Sequence, residues 1–223
     1  MNVVLFGATG MVGQSALREC LFDPDVNNVI SVVRTATTPT NPKLRELVLP
    51  DFTNYSAAET ELTGLDACFF CLGVASSGMS EADYMRITHD FTLAGATTLA
   101  KLNPSMTFVY VSGSGTDSTE RGRIMWARVK GKTENDILKL PFKAAYMFRI
   151  GFIQPLHGIV SKTKSYRIFD QVLTPILPLL RSLFPRQILT TEQVGRAMLL
   201  VAKNGFPKSV LESKDISSLF VHS

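Results

Sequence analysis

The sequence predicts a doubly wound α/β fold, a parallel sheet covered by helices on both faces. Three observations predict it. Short apolar runs alternate with longer segments of helical periodicity, the order that strand–helix–strand crossovers require. The first run, residues 3–6, opens directly into a glycine-rich turn and then a helical pattern, which is how the first crossover of such a sheet begins. Finally, 223 residues with 45% hydrophobic and 19% charged side chains can bury one sizeable core, which excludes a disordered or fibrous chain.

Each element has a local reason. Residues 3–6 (Val-Val-Leu-Phe) and 29–33 (Val-Ile-Ser-Val-Val) are apolar, largely β-branched runs and read as the first two strands. A helix over 11–22 lies between them. Residues 47–49 make a short third strand and 67–71 a fourth. A long helix follows over 81–102, stopped by Asn103-Pro104. Residues 107–111 form a fifth strand, a glycine-rich stretch leads into a helix over 125–140, Pro141 ends it, and 144–150 is the sixth strand. Past Gly151 the character changes: residues 152–189 contain Pro155, Pro175, Pro178 and Pro185 and read as a loop plus an apolar helix lying over the cleft. A last amphipathic helix spans 190–204, capped by Thr190 or Thr191, with Gly205 beyond its end. The chain is therefore expected to form a single domain, 1–223, in which 152–189 and 205–223 make a small substrate-side cover.

Charge and cysteines narrow the partners. A net charge of +4 and a pI of about 9.0 suit an anionic small ligand, but no clustered basic stripe argues for nucleic acid. Three cysteines supply no disulfide framework and fit a reducing compartment, so the expected location is cytoplasmic. The opening Met-Asn-Val-Val-Leu-Phe-Gly has no basic segment and reads as a strand, not a signal peptide. The most apolar later stretch, 168–184, is broken by Asp170, Pro175, Pro178 and Arg181, so no membrane span is expected and the protein reads as soluble. Cys68 and Cys71 fall three apart on a strand and point to opposite faces, which suits buried apolar thiols and not a metal or redox pair. His89, His157 and His222 lack ligand spacing, and no metal is expected.

The glycine loop carries the first functional signal. Gly7-Ala8-Thr9-Gly10-Met11-Val12-Gly13 is G-x-x-G-x-x-G between a strand and a helix. Gly7 allows a sharp turn, Gly10 lets backbone amides approach a pyrophosphate, and Gly13 lets the helix sit close. The helix N-terminus then faces the phosphates with oriented N–H groups and partial positive charge. This is the fingerprint of a dinucleotide-binding Rossmann fold. The second strand ends on Arg34, where an NAD site places a carboxylate ~20 residues past the loop. A guanidinium there matches a 2′-phosphate, so NADP(H) is expected over NAD(H); its competing reading is an Arg capping a strand into solvent. Asp51 and Phe52, after the third strand, are placed to lie near the adenine. Leu72 and Gly73 let the chain pass close to the dinucleotide after the fourth strand. Gly151 and Ile153 follow the sixth strand, where Ile153 is placed to pack on the nicotinamide. Lys162, Lys164 and Arg167 form a basic cluster that reads as either a face for an anionic substrate or a solvated surface.

The motif order resembles the short-chain dehydrogenase/reductase superfamily in its atypical and extended branches, and in particular NAD(P)-binding oxidoreductases related to the Tat-interacting protein family. The resemblance rests on the glycine loop, Cys71-Leu72-Gly73, Val109-Tyr110-Val111-Ser112, Val129-Lys130-Gly131-Lys132 and Arg149-Ile150-Gly151-Phe152. It implies a Ser, a Tyr and a Lys at the nicotinamide end, the last two spaced Y-x-x-x-K so that both share one helix face. Ser112 takes the serine's place, where it would bond the substrate carbonyl, and Lys130 the lysine's, whose ammonium the resemblance implies holds the cofactor's ribose and lowers the phenol pKa, but four residues before Lys130 stands Trp126. An indole N–H donates a hydrogen bond but does not hand over a proton as a phenol does. Three readings follow: another group supplies the proton, with Ser112, Tyr166 and His157 as candidates; the chain binds cofactor without turnover; or the reaction needs no acid. Trp126 as a plain helix-core aromatic is a further alternative. The functional expectation is an NADP-dependent reductase of a small carbonyl compound, and its rival is a non-catalytic NADP-binding regulator acting through a protein partner. A homodimer is compatible with both.

Overall fold

A computed structural model of the chain describes residues 1–37, 39–159 and 187–220. Strand β1 (Asn2–Phe6) lies at its heart. Val3 and Leu5 enter the core on one side of the sheet, Val4 and Phe6 the core on the other, so a continuous apolar run is what a strand covered on both faces needs. The chain continues through α1 (Met11–Phe22), β2 (Asn28–Val33), β3 (Leu44–Val48), β4 (Ala67–Phe70), α2 (Glu81–Met85), α3 (Phe91–Leu102), β5 (Thr107–Gly113), α4 (Met125–Ile137), β6 (Ala144–Ile150), β7 (Phe152–Gln154), β8 (Ile188–Thr190), α5 (Thr191–Asn204), β9 (Val210–Glu212) and α6 (Ser213–Ser218). Seven strands form one sheet in the order β3-β2-β1-β4-β5-β6-β9, and every pairing in it is parallel. This is the doubly wound Rossmann architecture that the sequence predicts.

One face is covered by α1 and α5, whose Ala16, Cys20, Val194, Ala197 and Met198 join the first core. The other is covered by α3 and α4, with Ala96, Leu99 and Ile137 meeting an aromatic stack of Phe6, Phe70 and Phe108. Cys68 belongs to this second core and Cys71 packs against the first. The two thiols thus do face opposite ways, and burial raises the pKa of both.

Several boundaries differ from the sequence reading, each for a physical reason. The helix expected over 81–102 is interrupted by a π-turn, Arg86–Asp90, between α2 and α3; Thr92 Oγ1 donates back to the Thr88 carbonyl at 2.7 Å, a bond that competes with the regular ladder. The third strand begins at Leu44, not 47, because Arg45 and Glu46 are tolerated on an edge strand and mask its start. Strand β9 is three residues long, too short to leave a period. It carries part of the 205–223 segment into the main sheet. Of the expected 152–189 cover, β7 and β8 pair with each other, and 160–186, with Tyr166, Lys162, Lys164, Arg167 and the apolar 175–184 stretch, lie outside the described residues, as does His222. Among the described residues no helix is long and apolar enough to cross a membrane.

Two local constraints shape the cleft end of the sheet. Gly7 has φ +77°, and a Cβ there would lie 2.7 Å from the backbone of Cys71 and Leu72. A Cβ on Gly13 would lie 2.0 Å from the Gly7 carbonyl oxygen. Both positions therefore require glycine for the protein's own packing. The other constraint ties α4 to β6. Glu134 is 1% exposed and accepts from Arg149 Nε through both carboxylate oxygens at 3.1 Å. Arg149 also reaches Ser118 and, at 3.7 Å, Glu212 of β9.

Two stability measurements check this. Gly13→Ala should lower the free energy of unfolding in urea by about 1–3 kcal/mol through overpacking, and an unchanged midpoint would contradict the packing. Glu134→Ala should cost about 1–3 kcal/mol, because it removes the carboxylate that Arg149 meets through both oxygens and leaves only Ser118 and the longer Glu212 contact; a loss below about 0.5 kcal/mol would show that the pair does not hold α4 in place.

Candidate functional site

Parallel strands put their carboxyl ends on one edge, and the order β1-β4-β5-β6-β9 places five of those ends side by side. A cleft of about 1140 Å³ runs along them, beginning at the reversal of strand order beside β1, where such sheets bind ligands. Among the described residues its lining follows the strand order. Met11 and Val12 come from the first turn of α1, Cys71–Gly73 from the end of β4, Ser112 from β5, Ile150–Ile153 from β6 and β7, and Glu212–Lys214 from β9 and α6. Trp126 and Lys130, one turn apart on α4, complete the wall.

Of the residues singled out from sequence, the cleft thus brings together Met11, Val12, Leu72, Gly73, Ser112, Trp126, Lys130, Gly151 and Ile153. The rest of the glycine loop, Gly7, Thr9, Gly10 and Gly13, adjoins Met11 and Val12 in the chain but does not itself line the cleft. Gly10 caps α1, its N–H donating to the Gly7 carbonyl at 3.0 Å, and the Thr9 carbonyl accepts from Gln14 Nε2 at 3.0 Å. The glycines divide by purpose. Gly7 and Gly13 are fixed by contacts within the protein, whereas a Cβ on Gly10 would meet nothing closer than 3.5 Å and one on Gly73 nothing within 4 Å. Open space at those two positions, beside a helix whose first turn carries no acid, fits the passage of a pyrophosphate.

Arg34 is exposed directly after β2, outside the cleft lining, and has no ion-pair partner among the described residues. Asp51 and Phe52, expected near the adenine, both make contacts within the protein. Asp51 turns its carboxylate onto its own chain, accepting from Thr53 N at 2.8 Å and Thr53 Oγ1 at 2.7 Å, which holds its pKa below the usual carboxylate value. Phe52 is 6% exposed, with its ring edge-on to Phe6 and Phe91. Its side chain is core, because an aromatic at the end of this loop buries more surface between β1 and α3 than it could at an open rim.

At the far end the chemistry concentrates on α4 and β5. Ser112 is buried, its hydroxyl donating to the Phe148 carbonyl at 3.3 Å. Trp126 lays the benzo edge of its indole over the Gly113–Gly115 turn, within 3.7 Å of where side chains there would begin. Lys130 Nζ donates to the Val111 carbonyl at 3.4 Å and lies 5.4 Å from the centre of the Tyr110 ring. The side chain opens to the cleft, yet enough protein surrounds the ammonium that desolvation pushes its pKa down to about 8, a shift that Glu134 partly opposes. His157, one of the alternative proton sources, is exposed beside Glu192 at 3.0 Å and outside the cleft lining. No group of three or more His, Cys, Asp or Glu that could hold a metal occurs among the described residues.

Sequence reasoning missed Tyr84, Glu212, Ser213 and Lys214, all of which line the cleft. Tyr84 reads as one apolar position of a helix, and it reaches the site because α2 packs beside α4. Glu212 arrives on β9, a strand that the sequence does not announce, and Ser213 and Lys214 open the short helix α6 that follows it.

The chain matches no protein-family model. Its fold is shared with the Candida albicans Gre2 structure in complex with NADPH (TM-score 0.69, 13% identity, 95% of this chain and 77% of that one). It is shared equally with Bordetella bronchiseptica WbmF in complex with NAD+ (TM-score 0.65, 17% identity, 97% and 76%). Among relatives by sequence, the mitochondrial protein fmp52 of Emericella nidulans is 29% identical over 68% of this chain, a match spanning 66% of that protein's length. The mitochondrial protein FMP52 of Saccharomyces cerevisiae is 30% identical over 97% of this chain and 95% of its own length. The names of these relatives overturn the cytoplasmic expectation, which rested on cysteine count and the opening residues alone. Identity at this level from end to end shows that the chain belongs to the FMP52 family.

Proposed function

We propose that this FMP52-family protein is an oxidoreductase of the short-chain dehydrogenase/reductase type, in a mitochondrial setting like that of its named relatives, and that it reduces a small apolar carbonyl compound with NADP(H). The observation that carries the reading is the single cleft along five strand ends, with the glycine loop at one end and Ser112, Trp126 and Lys130 farther along. Two of the solved structures that share the fold, Gre2 and WbmF, are complexes with NADPH and NAD+, which supports a nicotinamide dinucleotide here. The motif order adds the narrower likeness to the Tat-interacting oxidoreductases.

In this reading the amides around Gly7, Thr9, Gly10 and Gly13 hold the pyrophosphate, and Met11 and Val12 flank it. Leu72 and Gly73 border the ribose beyond, and Arg34 takes the 2′-phosphate. The bound cofactor supplies a hydride. Ser112 orients the carbonyl oxygen by a hydrogen bond, exchanging its 3.3 Å contact with Phe148 for the substrate. Gly151 leaves the chain close to the nicotinamide and Ile153 packs against it. The substrate's apolar character follows from Val12, Val74, Trp126, Phe152 and Ile153 around the cavity, since unpaired polar groups against such walls cost binding energy.

Fluorescence titration with NADPH and NADH, followed by cofactor oxidation with a panel of aldehydes, ketones and quinones, tests the reading. It expects NADPH to bind at least tenfold more tightly than NADH and to be consumed with some of these carbonyls. Arg34→Glu should weaken NADPH at least tenfold while changing NADH less than threefold; equal losses would mean that Arg34 does not read the phosphate. Tight NADPH binding with no turnover on any carbonyl would favour a regulator over an enzyme.

A further inference from the structure

Among the described residues, the cleft holds an ammonium without a counter-ion. Lys130 forms no ion pair among the described residues. The carboxylate nearest in sequence on its helix, Glu134, is taken through both oxygens by Arg149 of β6. What Nζ has is one long bond to the Val111 carbonyl and the face of Tyr110. A half-buried charge held this loosely keeps N–H groups for something that enters the cleft. The position one turn earlier, where the resembled family has a phenol, is filled by the indole of Trp126, so the proton for a carbonyl oxygen has to come from elsewhere.

Resting on the reductase reading, we propose that Lys130 is itself the proton donor, giving its Nζ proton to the carbonyl oxygen. In that step the carbonyl carbon gains a hydride from the reduced nicotinamide dinucleotide, the C=O π bond breaks onto oxygen, and the oxygen takes the proton from Nζ. The products are an alcohol, the oxidised dinucleotide and a neutral amine, which regains its proton from water. Desolvation that brings the ammonium to about 8 makes it a far better acid near neutral pH than an exposed lysine. The other titratable groups around it serve less well. Tyr110 is buried behind Nζ, its phenol pKa raised by burial, and it does not line the cleft. Glu134 and Arg149 are spent on each other, and Glu212 and Lys214 line the wall formed by β9 and α6. Tyr84 is the rival, a phenol that lines the cleft from α2 while being 2% exposed.

The test combines titration with kinetics. Reductive methylation with ¹³C-formaldehyde should give a dimethyl-lysine NMR signal, absent from Lys130→Arg, that titrates near pH 8; a midpoint above about 10 overturns the proposal. Wild-type kcat for NADPH-dependent carbonyl reduction should hold at low pH and fall as pH rises through about 8, because the protonated amine is the acid. Lys130→Arg keeps the charge but cannot release its proton, so kcat should fall at least 100-fold while NADPH Kd stays within threefold. Tyr84→Phe should keep kcat within threefold. A Lys130→Arg effect on KM alone, or a 100-fold loss in Tyr84→Phe, overturns the assignment while leaving the reductase reading intact. No turnover by the wild type on any carbonyl overturns both. If Lys130→Arg does not fold, the wild-type pH profile decides: a kcat that is flat between pH 7 and 9.5 overturns the proposal.

Discussion

The cleft depends on how closely the turn after β1 approaches its neighbours. Gly7 passes so near the end of β4 that no side chain fits, and Gly13 brings the first turn of α1 down onto Gly7 itself. Those contacts fix where the α1 N-terminus sits relative to the parallel strand ends, and with it where an anionic group is welcome. Gly10 and Gly73 differ in kind: nothing among the described residues forbids a side chain there. A loop in which Gly7 and Gly13 serve the fold while Gly10 keeps space open at a helix N-terminus, with Gly73 doing the same after β4, is hard to explain by folding alone.

Along the same edge the protein treats its buried charges in two ways. Arg149 and Glu134 form a closely bonded pair that ties β6 to α4 and extends to Glu212. Lys130, one helical turn from Glu134, has among the described residues only a backbone carbonyl and an aromatic face. Desolvation of an unpaired ammonium is unfavourable for the apo protein, and such a cost is characteristic of groups kept for chemistry. Trp126 adds to this by placing apolar surface beside Lys130, which lowers the local dielectric and strengthens any interaction made there.

What was legible in the sequence was what depends on neighbours in the chain. The glycine loop, the β-branched runs and the Thr190 cap with Gly205 beyond α5 are local features, and the structure has them. Ser112, Trp126 and Lys130 could be named from motif spacing, and the fold brings all three to one cleft. What depends on three-dimensional competition was not legible. Asp51 is drawn to Thr53 and Phe52 to the aromatic core, outcomes decided by partners distant in sequence or by turn chemistry that a lone Asp does not announce. Glu212 and Lys214 reach the site only because a three-residue strand adds to the far edge of the sheet. Tyr84 hides in an ordinary helical pattern broken by a π-turn.

The central claim is that a reduced nicotinamide dinucleotide lies along the strand ends with its reactive ring against α4. A crystal structure of the protein grown with NADPH tests it most directly. The account predicts pyrophosphate oxygens within hydrogen-bond distance of backbone N–H groups between Gly7 and Gly13, and the nicotinamide ring in the section of cleft walled by Ser112, Trp126 and Lys130. A dinucleotide bound in the reverse direction, or bound away from this cleft, would contradict it.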